Sequence, residues 1–271
     1  MKTRRYKLDF SGNGQEFSCK EILHETQSMF QKIEISDLDL LGRVLVLDDI
    51  IQLSELDCDI YHESFAHIPM SYIEEPDRVL ILGGGDGILA KELLKYSNVC
   101  IDLVDIDPIV LDLSSKYLKQ LNNDSLNNSR VKVFNLDALT FCNNVELETY
   151  DAIFGDITDP HPNSPSASLL SDQALETYKS ILKKDGVIAI QTDNIQIAPG
   201  HISTISSKLK KHFKNENNFS IASITLGGVF SFVCVTDSPI KRKPIGVPTN
   251  WLDEEKVKTN FSLHNYIKMG Q

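Results

Sequence analysis

The stretch Leu80-Ile81-Leu82-Gly83-Gly84-Gly85-Asp86-Gly87 joins a short apolar run to a turn made mostly of glycine. A run of this length, bounded by turn residues, is typical of a buried strand. Glycines let the backbone turn tightly and approach a ligand closely, as they do after the first strand of open α/β folds. The stretch therefore predicts a buried strand, a turn able to face a ligand, and a helix over residues 88–96.

Strand and helix patterns alternate around and beyond this turn. Strands are predicted over residues 78–82, 100–104, 131–135, 151–155 and 187–191, and helices over 88–96, 108–121, 172–182 and 201–213. This alternation predicts an α/β fold with a mostly parallel, Rossmann-type sheet that is covered by helices on both faces. Two further apolar runs, 219–226 and 229–235, flank Gly227-Gly228 and predict a hairpin that adds an antiparallel strand at the sheet edge.

Residues 1–70 differ in pattern from the rest of the chain. Two apolar runs, 43–47 and 50–53, meet at Asp48-Asp49 and predict a hairpin, while residues 30–35 alternate in part. Residues 57–70 carry apolar side chains at helical spacing. We expect residues 1–70 to form a small antiparallel β domain with a linking helix, and residues 71–271 to form the α/β domain.

The composition argues against several classes of protein. The formal net charge is -11, so nucleic acid and anionic membranes are not expected as partners, because both bind basic surfaces. No apolar run approaches the length of a membrane span, and no apolar signal core follows the basic start of the chain. Five cysteines without a C-x-x-C pair argue against a disulfide framework or a structural zinc site. We therefore expect a cytoplasmic protein.

Two acids follow the strand predicted over residues 151–155. Asp156 and Asp159 are three residues apart and Pro160 follows them. The strand carries them to the rim of the sheet, where open α/β folds bind ligands. Two carboxylates at one strand end attract a cation, and we predict a site for an amine. The alternative is a solvated strand-to-loop turn, which Asp and Pro both favour.

Further acids lie beside the glycine turn and after the next strands. Asp105 lies roughly 20 residues beyond the turn, which is the spacing expected of an acid that binds ribose hydroxyls. This spacing predicts an adenosine-containing ligand, although the turn is not a G-x-G-x-x-G dinucleotide pattern. Asp86 faces a cationic ligand group or caps a helix. Asp137, before Ala138, accepts a hydrogen bond from an adenine amine or likewise caps a helix.

Together these motifs resemble the spermidine synthase family, the polyamine aminopropyltransferases. The resemblance extends from about Gln31 to Thr192 and rests on the order and spacing of its pieces. These are Leu45-Val46-Leu47-Asp48 with Gln52, Tyr61-His62-Glu63 with His67 and Pro69, Gly83-Gly84-Gly85-Asp86-Gly87, Val104-Asp105-Ile106-Asp107, Asp156-Ile157-Thr158-Asp159-Pro160, and Gly186 through Gln191-Thr192.

The resemblance implies a methyltransferase-like (Rossmann-type) domain that transfers a 3-aminopropyl group and releases methylthioadenosine. The co-substrate, decarboxylated S-adenosylmethionine, would be held by Gln31, Gly83, Gly85, Asp86, Asp105, Asp137 and Ala138. Asp156 would be the catalytic base. An acceptor amine such as putrescine would be held by Tyr61, His62, Asp86, Asp159 and Gln191. The family also implies a homodimer or homotetramer with no permanently bound cofactor and no metal.

Three positions depart from the family pattern and leave alternatives open. Asp105 stands where the family usually has Glu, and residues 161–168 and 224–230 differ from the usual acceptor-side loops. A second hypothesis is transfer of a 3-amino-3-carboxypropyl group from intact S-adenosylmethionine to a non-polyamine acceptor, as in microcin C maturation; a basic side chain near the donor carboxylate would favour it. A methyltransferase is a third, although it needs no paired acids. A non-catalytic adenosine-binding protein would not be expected to keep Asp156.

Overall fold

The computed structural model describes residues 2–9, 12–158 and 165–269. Its strands are β1 (Lys2–Lys7), β2 (Gly14–Gln27), β3 (Lys32–Leu38), β4 (Gly42–Leu47), β5 (Ile50–Ser54), β6 (Arg78–Gly83), β7 (Cys100–Asp105), β8 (Val131–Asn135), β9 (Tyr150–Asp156), β10 (Leu182–Asn194), β11 (Asn215–Glu216), β12 (Phe219–Ser223) and β13 (Gly228–Thr236). Its helices are α1 (Cys58–Met70), α2 (Ile88–Leu93), α3 (Pro108–Tyr117), α4 (Lys119–Asn122), α5 (Ala138–Cys142), α6 (Asp172–Ile181), α7 (Pro199–Leu209) and α8 (Glu254–Met269), with 3₁₀ turns at Ser125–Asn127 and Pro165–Leu170.

The larger sheet confirms the predicted α/β fold. Its strand order is β11-β13-β10-β9-β6-β7-β8, and β12 also pairs with β13. The strands β8, β7, β6, β9 and β10 are parallel, while β13 runs antiparallel to β10. The chain adds strands on one side of β6 and then on the other, so β6 and β9 meet at a topological switch point. Ligands of open α/β sheets bind in the crevice at such a point.

The first five strands form a closed barrel, β1-β2-β3-β4-β5. Its strands pair antiparallel except where Lys7 of β1 meets Ile50 of β5 in parallel. The predicted hairpin is confirmed: Asp48 and Asp49 have φ angles of 51° and 67°, as a two-residue turn of type I′ requires. Strands β1 and β2 were not predicted, because both are rich in charged residues and largely exposed.

The helix α1 lies between the barrel and the glycine turn in the chain and confirms the helix predicted over residues 57–70. It packs against α2, β10 and β12 of the larger sheet. Its residues Phe65, Ile68 and Met70 are buried in the same apolar cluster as strands β6 and β7. The division of the chain into domains at residue 70 stays a prediction.

Two local predictions were wrong in detail, and one helix was not predicted. The helix predicted over 108–121 is two helices, since Leu118 leaves helical geometry and Asn123 then takes a left-handed conformation. The strand predicted over 187–191 extends from Leu182 to Asn194 and shifts its register between Leu182 and Val187. Helix α8 was not predicted; it packs on β12. Within the described part of the chain, no helix is long and apolar enough to cross a membrane.

Candidate active site

A cavity of ≈330 Å³ lies where the carboxyl edge of the larger sheet meets the barrel. All the candidate site residues that the structure describes line it: Gln31, Tyr61, His62, Gly83, Gly85, Asp86, Asp105, Asp137, Ala138, Asp156 and Gln191. Asp159, the remaining candidate, lies outside the described residues. Strands far apart in sequence thus bring their terminal side chains to one place.

The glycine turn packs directly on the end of β9. Gly83 and Gly84 have φ angles of 80° and 67°, and the amide of Gly84 donates to the carbonyl oxygen of Asp156 over 2.9 Å. A Cβ atom at Gly83 would collide with that carbonyl oxygen. Glycine is therefore required here both for the left-handed backbone and for the close approach of two strand ends.

Asp156 is the central acid of the cavity. Its Oδ1 accepts a hydrogen bond of 3.0 Å from the Tyr61 hydroxyl. Its Oδ2 is buried, and no described residue donates to it. Burial raises the pKa of Asp156 to about 8, nearby Asp86 adds to the rise, and the Tyr61 hydrogen bond opposes it. An acid whose pKa is this far above its usual range is suited to exchange a proton near neutral pH.

His62 and Asp86 complete a polar cluster with Asp156. The ring Nδ1 of His62 lies 2.8 Å from the carbonyl oxygen of Cys58, which can only accept, so Nδ1 carries the proton. The Nε2 lone pair then faces Asp86 Oδ1 at 3.9 Å. Burial lowers the pKa of His62, and the nearby Asp86 carboxylate opposes this shift. Asp86 Oδ1 also accepts from the Ile88 amide over 2.7 Å. The N-cap position of α2 is Gly87, so the helix-capping alternative for Asp86 was wrong, and its ligand-facing role stays a prediction.

The cluster offers ligand atoms of His62, Asp86 and Asp156 within 4.8 Å of one another, which suits a cation, either an ammonium group or a metal ion. A second group of acids, Asp59, Glu63 and Glu92, has the same spacing. Lys91 and Lys95 form ion pairs with that second group, so most of its charge is already compensated. The cavity cluster is the one whose acids still face open space.

Asp105 lies beneath the glycine turn. Its Oδ2 accepts from the Gly85 amide over 3.0 Å, and its Oδ1 accepts from the Asp107 amide over 2.9 Å. Burial raises the pKa of Asp105 to about 6. Each carboxylate oxygen has a second lone pair, which leaves capacity for ribose hydroxyls. Asp137 accepts from the Thr140 amide over 2.7 Å as the N-cap of α5, and it lines the cavity as well.

A buried acid that the sequence did not single out holds the Gln31 side of the cavity. Asp107 Oδ2 accepts from the Ser28 hydroxyl over 2.6 Å and from the Gln31 amide over 3.1 Å. Its Oδ1 accepts from the Ile109 amide at the start of α3. Asp107 thus joins the β2–β3 turn of the barrel to helix α3 of the α/β domain. The feature of the sequence that could have identified Asp107 is its position two residues after Asp105.

The opposite side of the cavity is built by β10 and β13. In the sheet order these strands lie across β9 from β6 and β7, so Asp156 stands between them and the Asp105 side. Phe230 of β13 packs on the Tyr61 ring, with centroids 5.7 Å apart. Gln191 donates to the carbonyl oxygen of Ile157.

Asp193 also lines this side, although the sequence did not single it out. Its backbone φ of 150° follows a register shift, and its Oδ2 lies 2.8 Å from His201 Nδ1. Like Asp156, it is an acid just beyond a predicted strand, which is the rule that could have found it.

The charge of the cavity is strongly negative. Acidic side chains line it at Asp48, Asp86, Asp105, Asp137, Asp156 and Asp193. Among the described residues that line it, Lys7 is the one Lys or Arg, and its Nζ lies 3.1 Å from Asp49 Oδ2 and 3.4 Å from the carbonyl oxygen of Asp48. The cavity therefore attracts cationic ligands and offers little to a carboxylate.

Comparisons with known proteins agree with this geometry. Residues 58–243 match the spermine/spermidine synthase domain, and residues 4–55 match the spermidine synthase tetramerisation domain. The chain is 33% identical to a polyamine aminopropyltransferase of Sulfolobus acidocaldarius over 82% of this chain and 75% of that protein. It is 34% identical to a polyamine aminopropyltransferase of Prochlorococcus marinus over 85% and 82% of the two chains. The fold matches a crystal structure of spermidine synthase in complex with the transition state analogue AdoDATO, with a TM-score of 0.92 and 25% identity over 99% and 94% of the two chains.

Proposed function

Because the chain belongs to the spermine/spermidine synthase family, we propose that it transfers a 3-aminopropyl group from decarboxylated S-adenosylmethionine to an amine such as putrescine. Methylthioadenosine is the second product. The observation that carries the proposal is Asp156, a half-buried acid with a raised pKa that lies between the Asp105 side of the cavity and the β10–β13 side.

The reaction requires an acid of this kind. The donor sulfonium makes the adjacent methylene electrophilic, and the amine nitrogen attacks that carbon. The new C–N bond forms as the C–S bond breaks, and the bonding electron pair goes to sulfur. An alkylamine has a pKa near the lysine value of about 10.4 and is mostly protonated at neutral pH. Asp156 takes the proton that the nitrogen must lose, directly or through water.

Positioning supplies a large share of the rate. Two reactants held in line behave as if their effective concentration were about 10⁵ M or more. Gln31, Asp105 and the glycine turn face the adenosine side of the cavity, and Tyr61 and Asp86 face the reacting groups. The Tyr61 ring is held by Phe65, Phe230 and Phe232, with centroids 5.1 to 5.8 Å away, so its hydroxyl is already aimed at Asp156.

The charge of the cavity favours the decarboxylated donor over intact S-adenosylmethionine. A carboxylate on the donor needs a cationic partner, and the single Lys among the described lining residues is engaged by Asp49. An additional anion beside the ionised aspartates would be repelled. These charges support aminopropyl transfer rather than transfer of a 3-amino-3-carboxypropyl group.

The family also supports an assembly and a location. Since residues 4–55 match a tetramerisation domain, we propose that the barrel mediates a homodimer or homotetramer. We propose a cytoplasmic location, because the five cysteines form no disulfide and a reducing compartment preserves free thiols. No permanently bound cofactor enters the proposed reaction; decarboxylated S-adenosylmethionine is a co-substrate.

Mass analysis of the products tests the proposal. The protein is incubated with decarboxylated or intact S-adenosylmethionine, with and without putrescine. Methylthioadenosine and spermidine from the decarboxylated donor are expected. Turnover with the intact donor alone would overturn the proposal, and S-adenosylhomocysteine would indicate methyl transfer. Asp156→Asn is expected to lose at least about 10²-fold in rate while it still binds methylthioadenosine. Unchanged turnover would remove Asp156 from the mechanism.

A further inference from the structure

We propose that Asp57 is a positioning residue that fixes the β12–β13 turn, residues 224–227, as a rigid wall on the acceptor side of the cavity. Asp57 lies in the chain between the last barrel strand and α1, far from the turn in sequence. The inference rests on the proposed function, because it assigns this side of the cavity to an amine acceptor.

The hydrogen bonds of Asp57 point away from its own helix. Asp57 occupies the N-cap position of α1, where Asp ordinarily accepts from the first helical amides, yet its side chain makes no capping bond. Its Oδ2 accepts from the Ser223 hydroxyl over 2.8 Å and from the Thr225 amide over 3.1 Å. Its Oδ1 accepts from the hydroxyls of Thr225, over 2.5 Å, and Ser54, over 3.0 Å.

This network joins three parts of the fold. Ser54 ends the barrel strand β5, Asp57 precedes α1, Ser223 ends β12, and Thr225 lies in the turn. The Asp57 side chain is 7% exposed, and among the described residues neutral donors alone bind it. A buried carboxylate keeps its place only where such donors are supplied, so the turn and Asp57 hold each other.

The turn is also fitted tightly on its other side. Gly227 has a φ of 72°, and a Cβ atom there would collide with the Leu8 side chain of the barrel. The carbonyl oxygen of Leu226 accepts from Asn194 Nδ2 over 2.9 Å. The turn is therefore held by contacts with the barrel side, with Asp57 at the start of α1, and with β10.

The turn faces the cavity through Thr225 and Leu226, next to Phe230. Because the Thr225 hydroxyl is engaged by Asp57 and Ser54, it is not free to bind an acceptor. The wall next to Tyr61 is therefore mainly apolar and fixed. Such a wall suits the methylene chain of an unbranched aliphatic amine, whose charged ends bind the aspartates.

Kinetics of Asp57→Ala test the role. The KM for putrescine is expected to rise about 10-fold, the loss of binding that about 1.4 kcal/mol represents. The Kd for methylthioadenosine is expected to stay within about 2-fold, because the turn lies across β9 from the Asp105 side. Asp57→Asn keeps an oxygen that accepts from the Thr225 amide. The hydroxyls of Ser54 and Thr225 can rotate to accept hydrogen bonds from the NH₂ group of the new side chain. It is therefore expected to restore the KM to within about 3-fold of wild type.

The matched control is Glu34→Ala, which removes another buried carboxylate, one bound by Tyr6, Ser36 and Arg4 inside the barrel and away from the cavity. This variant is expected to lower the melting temperature without raising the KM. If Asp57→Ala does not give folded protein, Thr225→Val removes a single hydroxyl and is expected to raise the KM about 3-fold. An unchanged KM, or an equal loss of methylthioadenosine affinity, overturns the proposal.

Hydrogen exchange separates this inference from the proposed function. In Asp57→Ala the Thr225 amide loses its acceptor, and its exchange is expected to speed up at least about 10-fold while the glycine turn at residues 83–87 is unchanged. Unchanged exchange at residue 225 overturns the role of Asp57, whether or not the wild type uses putrescine. Accelerated exchange in Asp57→Ala, combined with a wild type that uses no amine, would overturn the proposed function but keep the role of Asp57 in fixing the turn.

Discussion

Removing the Tyr61 hydroxyl should move the pH at which Asp156 becomes an effective base. The hydroxyl donates to Asp156 Oδ1 over 3.0 Å, and within the described part of the chain it is the one hydrogen bond to this carboxylate. A donor stabilises the ionised carboxylate more than the protonated acid. Tyr61→Phe therefore raises the pKa of Asp156 above its value of about 8 in the free enzyme.

The size of the shift follows from the strength of this bond. A hydrogen bond to a charged group contributes about 1.5–3 kcal/mol. The protonated acid still accepts part of the interaction, so the difference between the two forms is at the lower end, about 1.4 kcal/mol. That difference corresponds to about one pKa unit. The acidic limb of the rate profile should accordingly move up by about one pH unit.

The measurement is kcat/KM for the acceptor between pH 6 and pH 10, for wild type and Tyr61→Phe, followed by methylthioadenosine formation. The acceptor amine also titrates in this range, but its ionisation is the same for both enzymes and cancels in their ratio. On the acidic limb the wild type should be faster by an additional factor of about 10, because its Asp156 is ionised to a larger extent. Near pH 10 both carboxyl groups are ionised and this factor disappears.

A ratio that stays constant across the pH range would refute this reasoning. It would mean that Tyr61 only positions the acceptor and leaves the pKa of Asp156 unchanged. A ratio that grows with pH would contradict the direction of the shift. Any loss of packing against Phe65 or Phe232 is independent of pH and moves the whole curve without changing its shape.

Two further predictions concern stability and donor binding. The raised pKa of Asp156 means that wild type loses stability as the pH rises from the unfolded value, about 4, through the folded value of about 8. Asp156→Asn avoids that loss, so its free energy of unfolding in urea should exceed that of wild type by a few kcal/mol at pH 9 and by much less at pH 5. Asp107→Ala frees Ser28 and Gln31, and calorimetry should find methylthioadenosine binding weakened by about 10-fold.

Each of these predictions has a control. For Asp156→Asn, an equal difference at pH 5 and pH 9 would show that ionisation is not the cause. For Asp107→Ala, the control is Ser171→Ala, which removes the N-cap of α6 away from the cavity. It should cost about 1 kcal/mol of stability without changing methylthioadenosine affinity. If both variants weaken binding equally, general destabilisation and not the Gln31 turn explains the result.

The sequence predicted those parts of the protein whose signals are local. The glycine turn, Asp105 and Asp156 follow apolar strands, and strand ends in a parallel sheet meet at one edge. Strands β1 and β2 were not predicted. Only one face of each is buried, and that burial depends on closure of the barrel, which their charged sequences do not indicate. Helix α8 was also not predicted from the sequence; in the structure it packs on β12.

Two acids show why part of the site could not be read from the sequence. Asp107 and Asp57 look like ordinary helix-capping residues, which is the commonest role of Asp before a helix. Asp107 does cap α3, but its second oxygen holds the β2–β3 turn. Asp57 caps nothing and holds a turn more than 160 residues away in sequence. Tertiary packing decides which partners meet at that separation in sequence. The local pattern therefore indicates a hydrogen-bonding Asp at each position but does not identify its partners.

The negative charge of the cavity costs free energy when no ligand is bound. The same charge distinguishes the cationic donor from methylthioadenosine. Burial and the nearness of Asp86 hold Asp156 largely protonated at neutral pH in the free enzyme. A bound sulfonium or ammonium group attracts the ionised carboxylate and lowers its pKa, so the proposed base ionises when the cationic substrates are in place. Since linkage is reciprocal, the same interaction tightens the binding of those cations. Methylthioadenosine is neutral and gains nothing from it, so transfer of the aminopropyl group itself removes the attraction that held the donor.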